Sequence, residues 1–120
     1  AEALRRTAAF AAAGADLLYV PLLPDLDAIV RVAESAAGRP VNVLAAGPLV
    51  DHPASQLAAA GARRISVGSM VARLTHRAIR DSMVEMIESG SFASFRNIMK
   101  GDEVDALLEQ GARREVAHGG

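Results

Sequence analysis

The chain has no cysteine and no tryptophan, and its aromatic side chains are one tyrosine and three phenylalanines. Without cysteine there is no disulfide framework, no thiolate metal cluster and no cysteine nucleophile within these residues. With so few aromatics, the bulk of any core must come from Leu, Ile, Val and Met. An excess of either charge is also missing. Thirteen basic and 14 acidic residues leave a formal net charge of −1, which makes nucleic acid and an anionic membrane poor partners, since both call for concentrated positive surface. No apolar run reaches the ~18 to 20 residues that span a bilayer, and no signal-peptide pattern opens the chain. A cytoplasmic location is the expectation.

What is present suits a core-forming chain. Apolar residues make up 51% of the 120 positions and charged residues 22%, with a mean hydropathy of +0.20, which argues against intrinsic disorder. Alanine is abundant, at 25 positions, and small side chains let helices lie close to a sheet while losing no rotamer entropy.

The most informative pattern is a spacing. Gly14, Gly38 and Gly61 recur at intervals of 24 and 23 residues. Each closes an alanine-rich amphipathic run and is followed within a few positions by a short β-branched apolar run: Leu17 to Val20, Val41 to Leu44 and Ile65 to Val67. Glycine just past a helix closes the last turn in a left-handed conformation. Strands apolar on both faces fit a parallel sheet buried between helices. Parallel neighbours need helical crossovers, so the predicted fold is α/β: a helix over 1–13, then βαβαβ. In the crossover after the first strand, Leu26, Ile29, Val30, Ala33, Ala36 and Ala37 share one face. Pro24 suits the first turn there, and Asp25 and Asp27 favour the positive helix start.

Ser69 can cap a long helix to Ser89, with Val71, Leu74, Ala78, Met83, Met86 and Ile87 as its apolar stripe and Gly90 as its stop. A turn holding Phe92 and Phe95 follows, then a helix over 102–110 that buries Val104, Leu107 and Leu108 and ends at Gly111. The domain reading is a partial barrel over 1–90, a C-terminal turn and short helix over 91–111, and a flexible tail over 112–120. The chain opens in mid-helix without an initiator methionine, and three parallel strands leave two edges of unpaired backbone groups. The expectation is a piece of a larger sheet.

Gly14-Ala15-Asp16-Leu17-Leu18-Tyr19-Val20-Pro21, then Pro40-Val41-Asn42-Val43-Leu44, then Gly61-Ala62-Arg63-Arg64-Ile65-Ser66-Val67-Gly68-Ser69 is similar, in order and spacing, to the last three βα units of the isocitrate lyase and phosphoenolpyruvate mutase family. The match extends through the long helix and Gly90-Ser91-Phe92. The resemblance implies a (β/α)8 barrel, of which this chain supplies strands six, seven and eight. It also implies a Mg2+ ion, held by acidic residues of the early strands, that binds a small keto or hydroxy carboxylate or a phosphonate. The ion would act as a Lewis acid while a C–C or P–C bond is broken or rearranged through an enolate-like intermediate. The family's metal carboxylates, and the lyases' mobile loop with its Lys-Lys-Cys-Gly-His type motif, correspond to no residues of this chain. A closed barrel also needs ~250 residues. The isolated chain is therefore expected to be inactive, with the N-terminal barrel half as a required partner.

No catalytic residue and no metal ligand is assigned within the chain. The acidic residues, such as Asp25, Asp27, Glu34, Asp81, Glu85 and Glu88, fall mostly on helices, whereas barrel chemistry occurs at strand C-terminal ends. Asp16 precedes its strand. The candidate substrate-binding residues are Asn42, Ser66, Gly68 and Ser69. Asn42 is polar within an apolar strand, and either aims into the barrel mouth or is satisfied by its neighbours. The family places an amide on its seventh strand against substrate carboxylate, in some members two residues later, where Leu44 stands. Ser66, Gly68 and Ser69 form a strand-to-helix turn whose free amides suit a carboxylate or phosphonate, although Ser69 also serves as a plain helix cap.

Pro21 stands where lyase members often have glutamate, which favours a mutase-like or other carboxylate-lyase-like pocket over an isocitrate-type reaction. His52 lies in a loop after the second strand, His76 on an exposed helix face and His118 in the tail, without metal-ligand spacing. Arg63-Arg64 either steers anions or ends a strand at the surface. Family members exchange the eighth helix between subunits, and Ser69 to Ser89 matches it, so a homo-oligomer is expected. A different class of reading is a non-catalytic α/β interaction module that self-associates; a small nucleotide binder lacks any GxGxxG or P-loop.

Overall fold

The computed structural model describes residues 1–118, with side chains through Arg113. It divides into two compact units, Ala1–Ala72 and Arg73–Gly120. The first unit runs α1 (Glu2–Ala12), β1 (Leu18–Tyr19), α2 (Leu26–Ser35), β2 (Val41–Leu44), a 3₁₀ turn (Gly47–Asp51), α3 (Ala54–Ala59) and β3 (Ala62–Ser66). α4 (Met70–Ser89) leads into the second unit, which continues with a 3₁₀ turn (Ala93–Asn97) and α5 (Gly101–His118). The strands form one all-parallel sheet in the order β1-β2-β3, as the glycine spacing predicts, and both outer strands are edges.

Local chemistry sets the boundaries. Asp25 is extended at φ −159°, and its carboxylate accepts from the Ala28 amide at 2.6 Å, so Asp25 is the cap of α2 and Pro24 precedes the helix instead of entering its first turn. The buried face of α2 is Ala28, Ile29 and Val32, continued by Ala36. Val30, expected on that face, is exposed, because a residue next to Ile29 sits about 100° around the helix from it. At the start of α1, Glu2 accepts from Arg5 and Arg6, and these hydrogen bonds hold its carboxyl at about 2.

The core lies where α1, α2 and α3 meet the sheet. Ile29, Val32, Val41, Val43, Leu49 and Leu57 are its large fully buried side chains. Leu49 reaches it from the 3₁₀ turn after β2.

Two strands differ in extent from expectation. β1 pairs only through Leu18 and Tyr19, against Val41 and Asn42. β3 starts at Ala62, three residues before the apolar run, because Ala62 and Arg64 already pair with β2, and it ends at Ser66, one residue before that run does.

In the second unit no described side chain is buried. Val104, Leu107 and Leu108 of α5, expected to be buried, are exposed, since this unit is two helices and a turn with no further layer of its own to cover an apolar stripe. Gly111 does not stop α5, which continues to His118. One glycine costs a helix only about 1 kcal/mol, and its neighbours Glu109, Gln110, Ala112 and Arg113 are good helix formers. Of the tail expected over 112–120, residues 119–120 lie outside the described residues.

Glu85 organises the end of α4. Its carboxylate accepts from Ser91 Oγ and from the amides of Ala93 (3.0 Å) and Ser94 (3.1 Å), and the Ser91 hydroxyl, then Ser94, lower its pKa below the ordinary glutamate value of 4.5. A lowered folded-state value means that this clamp contributes fully above 4.5 and weakens as pH falls through that value toward the lowered one. Amide exchange at Ala93 and Ser94 should therefore accelerate in acid beyond the intrinsic pH trend, and a Glu85→Gln chain should lose that extra dependence. Equal pH profiles for the two chains would contradict the clamp.

Candidate substrate-facing site

Two of the candidate residues, Asn42 and Ser66, share one face of β2 and β3, and a β-bulge puts them there. Val41 pairs with Ala62, but Asn42 pairs with Arg64, Val43 with Ile65 and Leu44 with Ser66, so Arg63 is an extra residue on β3. In a strand, side chains alternate between faces, and a slip of one residue reverses every one of them. With Arg63 bulged, Ala62 stays with Val41 in the helix-covered core, while Arg64 and Ser66 turn to the face that carries Asn42 and Leu44. In a barrel that face is the interior.

Side-chain hydrogen bonds follow this register. Asn42 is 3% exposed and its amide is engaged at both ends: Nδ2 donates to Ser66 Oγ at 3.0 Å, and Oδ1 accepts from Arg64 Nη1 at 3.1 Å. Ser66 Oγ also lies 3.5 Å from the Val43 carbonyl, at the outer limit for donation. Among the described residues no carboxylate lies within ion-pair distance of Arg64. The structure thus brings together two of the four candidates, Asn42 and Ser66, and joins to them the exposed Arg64, for which the sequence leaves open whether it steers anions or ends a strand at the surface. The signal for Arg64 lay in the doublet itself: two adjacent arginines in a strand face opposite ways unless one bulges.

Gly68 and Ser69 follow directly. The ladder continues past β3 through Ala45 N to Ser66 O at 2.9 Å, and the turn closes through Met70 N to Val67 O at 3.1 Å. Gly68 has φ +54° and passes close to the sheet, since a Cβ there would meet Leu44 Cδ1 at 3.4 Å. Ser69 immediately precedes the first residue of α4. Both are exposed at the C-terminal end of the strands. His52 lies apart, with Nδ1 at 2.8 Å from Gln56 Oε1, and His76 is exposed on α4. A groove of about 460 Å³ runs elsewhere, along α1 and the end of β1, between Arg6, Phe10, Tyr19 and Pro21.

The family resemblance implies a divalent ion. Among the described residues no three His, Asp or Glu side chains come together, and the strand ends present Tyr19, Leu44 and Ser66, not the carboxylate oxygens that magnesium prefers. These residues do not fit a magnesium site. Among the described residues, too, no helix is long and apolar enough to cross a membrane.

A parallel βαβαβ sheet with polar groups on the face away from its helices defines a run of staves from a (β/α) barrel. The phosphoenolpyruvate phosphomutase family model matches residues 1–87, and the chain belongs to that family. It also resembles the crystal structure of a provisionally assigned lyase/mutase from Burkholderia cenocepacia J2315, with 34% identity and a TM-score of 0.80 over 88% of this chain and 37% of that one. The chain thus spans little more than a third of that protein's length. No curated protein sequence matches it.

Proposed function

We propose that this chain forms strands six, seven and eight of a cytoplasmic, magnesium-dependent lyase or phosphomutase acting on small keto or hydroxy carboxylates or phosphonates. Its Asn42, Ser66, Gly68 and Ser69 belong to the wall that meets the substrate's anionic group, and the ion's ligands belong to other staves. The observation that carries this reading is the Asn42–Ser66 pair on the face away from the helices, with Ser66 at the C-terminal strand end, where barrel enzymes do their chemistry. Pro21 in place of the lyases' glutamate favours mutase-like or other carboxylate-lyase-like chemistry over an isocitrate-type cleavage.

The isolated 120 residues should give no turnover of oxaloacetate, methylisocitrate or phosphonopyruvate in the presence of magnesium. Oxalate or phosphonopyruvate, added to the 15N-labelled chain, should move the amide resonances of Ser66, Gly68 and Ser69. Turnover by the isolated chain would sink the assignment of the ion's ligands to other staves. Unmoved strand-end resonances would sink the site.

One observation also favours association with a second copy. No residue of α4 is buried, and Leu74 and Ile87 are 70% and 77% exposed. On this reading the chain is a homo-oligomer that exchanges the 69–89 helix, either as part of the enzyme or as a non-catalytic module. Sedimentation should show dimers or larger species; a compact monomer that binds little hydrophobic dye would contradict it.

A further inference from the structure

We propose that Arg64 is a positioning residue: through Asn42 it presets the Ser66 hydroxyl to donate a hydrogen bond to an anionic ligand oxygen at the strand ends. The inference rests on the substrate-facing reading above and extends it to a residue and a direction of hydrogen bonding. The guanidinium donates to Asn42 Oδ1 at 3.1 Å and the Asn42 Nδ2 donates to Ser66 Oγ at 3.0 Å. A primary amide has two donors on one side and an acceptor on the other, and only its surroundings decide which way it points. Arginine has donors and no acceptor, so it can pair only with the amide oxygen. With the oxygen held by Arg64, the NH2 group must face Ser66.

The same logic passes along to the serine. Its oxygen receives the Asn42 proton, so its own proton has to point elsewhere. Among the described residues, the acceptor its hydroxyl meets is the Val43 carbonyl at 3.5 Å, a distance at which a hydrogen bond is marginal. A carboxylate or phosphonate oxygen arriving at the strand end accepts that proton at a shorter distance and as a charge-assisted bond. Each donor in the row polarises the next, and the row begins at a full positive charge, so its outer end is the better donor to an anion. Neutral carbonyl compounds of the same shape gain less from it. The bulge at Arg63 makes the row possible, because it places residues 42, 64 and 66 on one face.

The test uses the full chain and two readouts. Without ligand, the Asn42 side-chain NH2 protons should exchange slowly in the wild-type chain and fast in Arg64→Met and in Ser66→Ala, with unchanged far-UV dichroism showing that both fold. With oxalate as the probe, Arg64→Met should bind roughly tenfold more weakly, the size of effect that follows loss of a hydrogen bond to a charged group. Arg64→Met combined with Ser66→Ala should bind no more weakly than Ser66→Ala alone, because Arg64 acts through the serine. Additive losses would overturn the proposal and make Arg64 a direct contact of the anion. Fast Asn42 exchange in the wild-type chain would overturn the row even where oxalate binds. Slow exchange with no oxalate binding would instead overturn the substrate-facing reading, and with it the serine's role toward a ligand.

Discussion

Replacing Gly61 by alanine should cost the first unit about 3 kcal/mol or more, a large share of the stability of a unit of some 70 residues. Two independent terms combine. Gly61 has φ +118°, where a side chain is strained, and a Cβ built there falls 2.6 Å from the Ala33 Cβ of α2. The backbone term costs about 1–2 kcal/mol and forced overpacking about 1–3 kcal/mol. The close contact is between two atoms on rigid backbone, so no rotamer change relieves it. Glycine therefore does more here than close a helix: it lets the end of α3 approach α2. Urea denaturation should show the loss as a lower midpoint. Adding Ala33→Gly should recover part of it, although glycine within α2 itself costs about 1 kcal/mol. A Gly61→Ala chain less than 1 kcal/mol below wild type, or an Ala33→Gly change that brings no recovery, would contradict this packing.

Truncating Leu49 to alanine should be comparably severe, at about 2–5 kcal/mol. Leu49 is wholly buried although it sits in the 3₁₀ turn between β2 and α3, and it joins the cluster that holds Val43 and Leu57. Its removal loses the transfer energy of the side chain and leaves a cavity beside two fully buried neighbours. Thermal unfolding should shift down by roughly 10 °C or more for a domain of this size. The neighbouring Val50→Ala, at a position 57% exposed in the same turn, should change stability by less than about 0.5 kcal/mol. Equal losses at the two positions would contradict the placement of the turn against the core.

Much of the fold could be read in advance because it depends on local rules. Gly14, Gly38 and Gly61 all have positive φ at helix ends, and the runs between them form parallel strands and crossover helices in the predicted order. The family resemblance rests on the same segments and agrees with the family that residues 1–87 match. Phase was harder to read. Val30 and Ile29 are equally apolar, and only the docking of α2 decides which is covered. The bulge at Arg63 depends on strand pairing, which no window of sequence displays, so the apolar run alone starts β3 late and does not show that Arg64 shares a face with Asn42. The expected burial of Val104, Leu107 and Leu108 on α5 fails for a related reason: an apolar stripe shows that a helix can be covered, not that this chain covers it.

Asn42 illustrates what a sequence can say about a site. A polar amide within an apolar strand identified the position, and two readings, ligand contact or internal satisfaction, stayed open. The structure satisfies the amide with Ser66 and Arg64, which places it inside a hydrogen-bonded row and leaves the serine at the outer end of that row.

A chimera offers the most direct test that these are the closing staves of an enzyme whose metal ligands lie on other strands. This chain would replace the segment it matches in the Burkholderia cenocepacia protein, and the product would be assayed with magnesium on oxaloacetate, methylisocitrate and phosphonopyruvate beside the parent protein and the isolated chain. The account predicts magnesium-dependent turnover of at least one acid by the chimera and none by the isolated chain. A folded chimera that is inert on an acid the parent converts, or an isolated chain as active as the chimera, would contradict it.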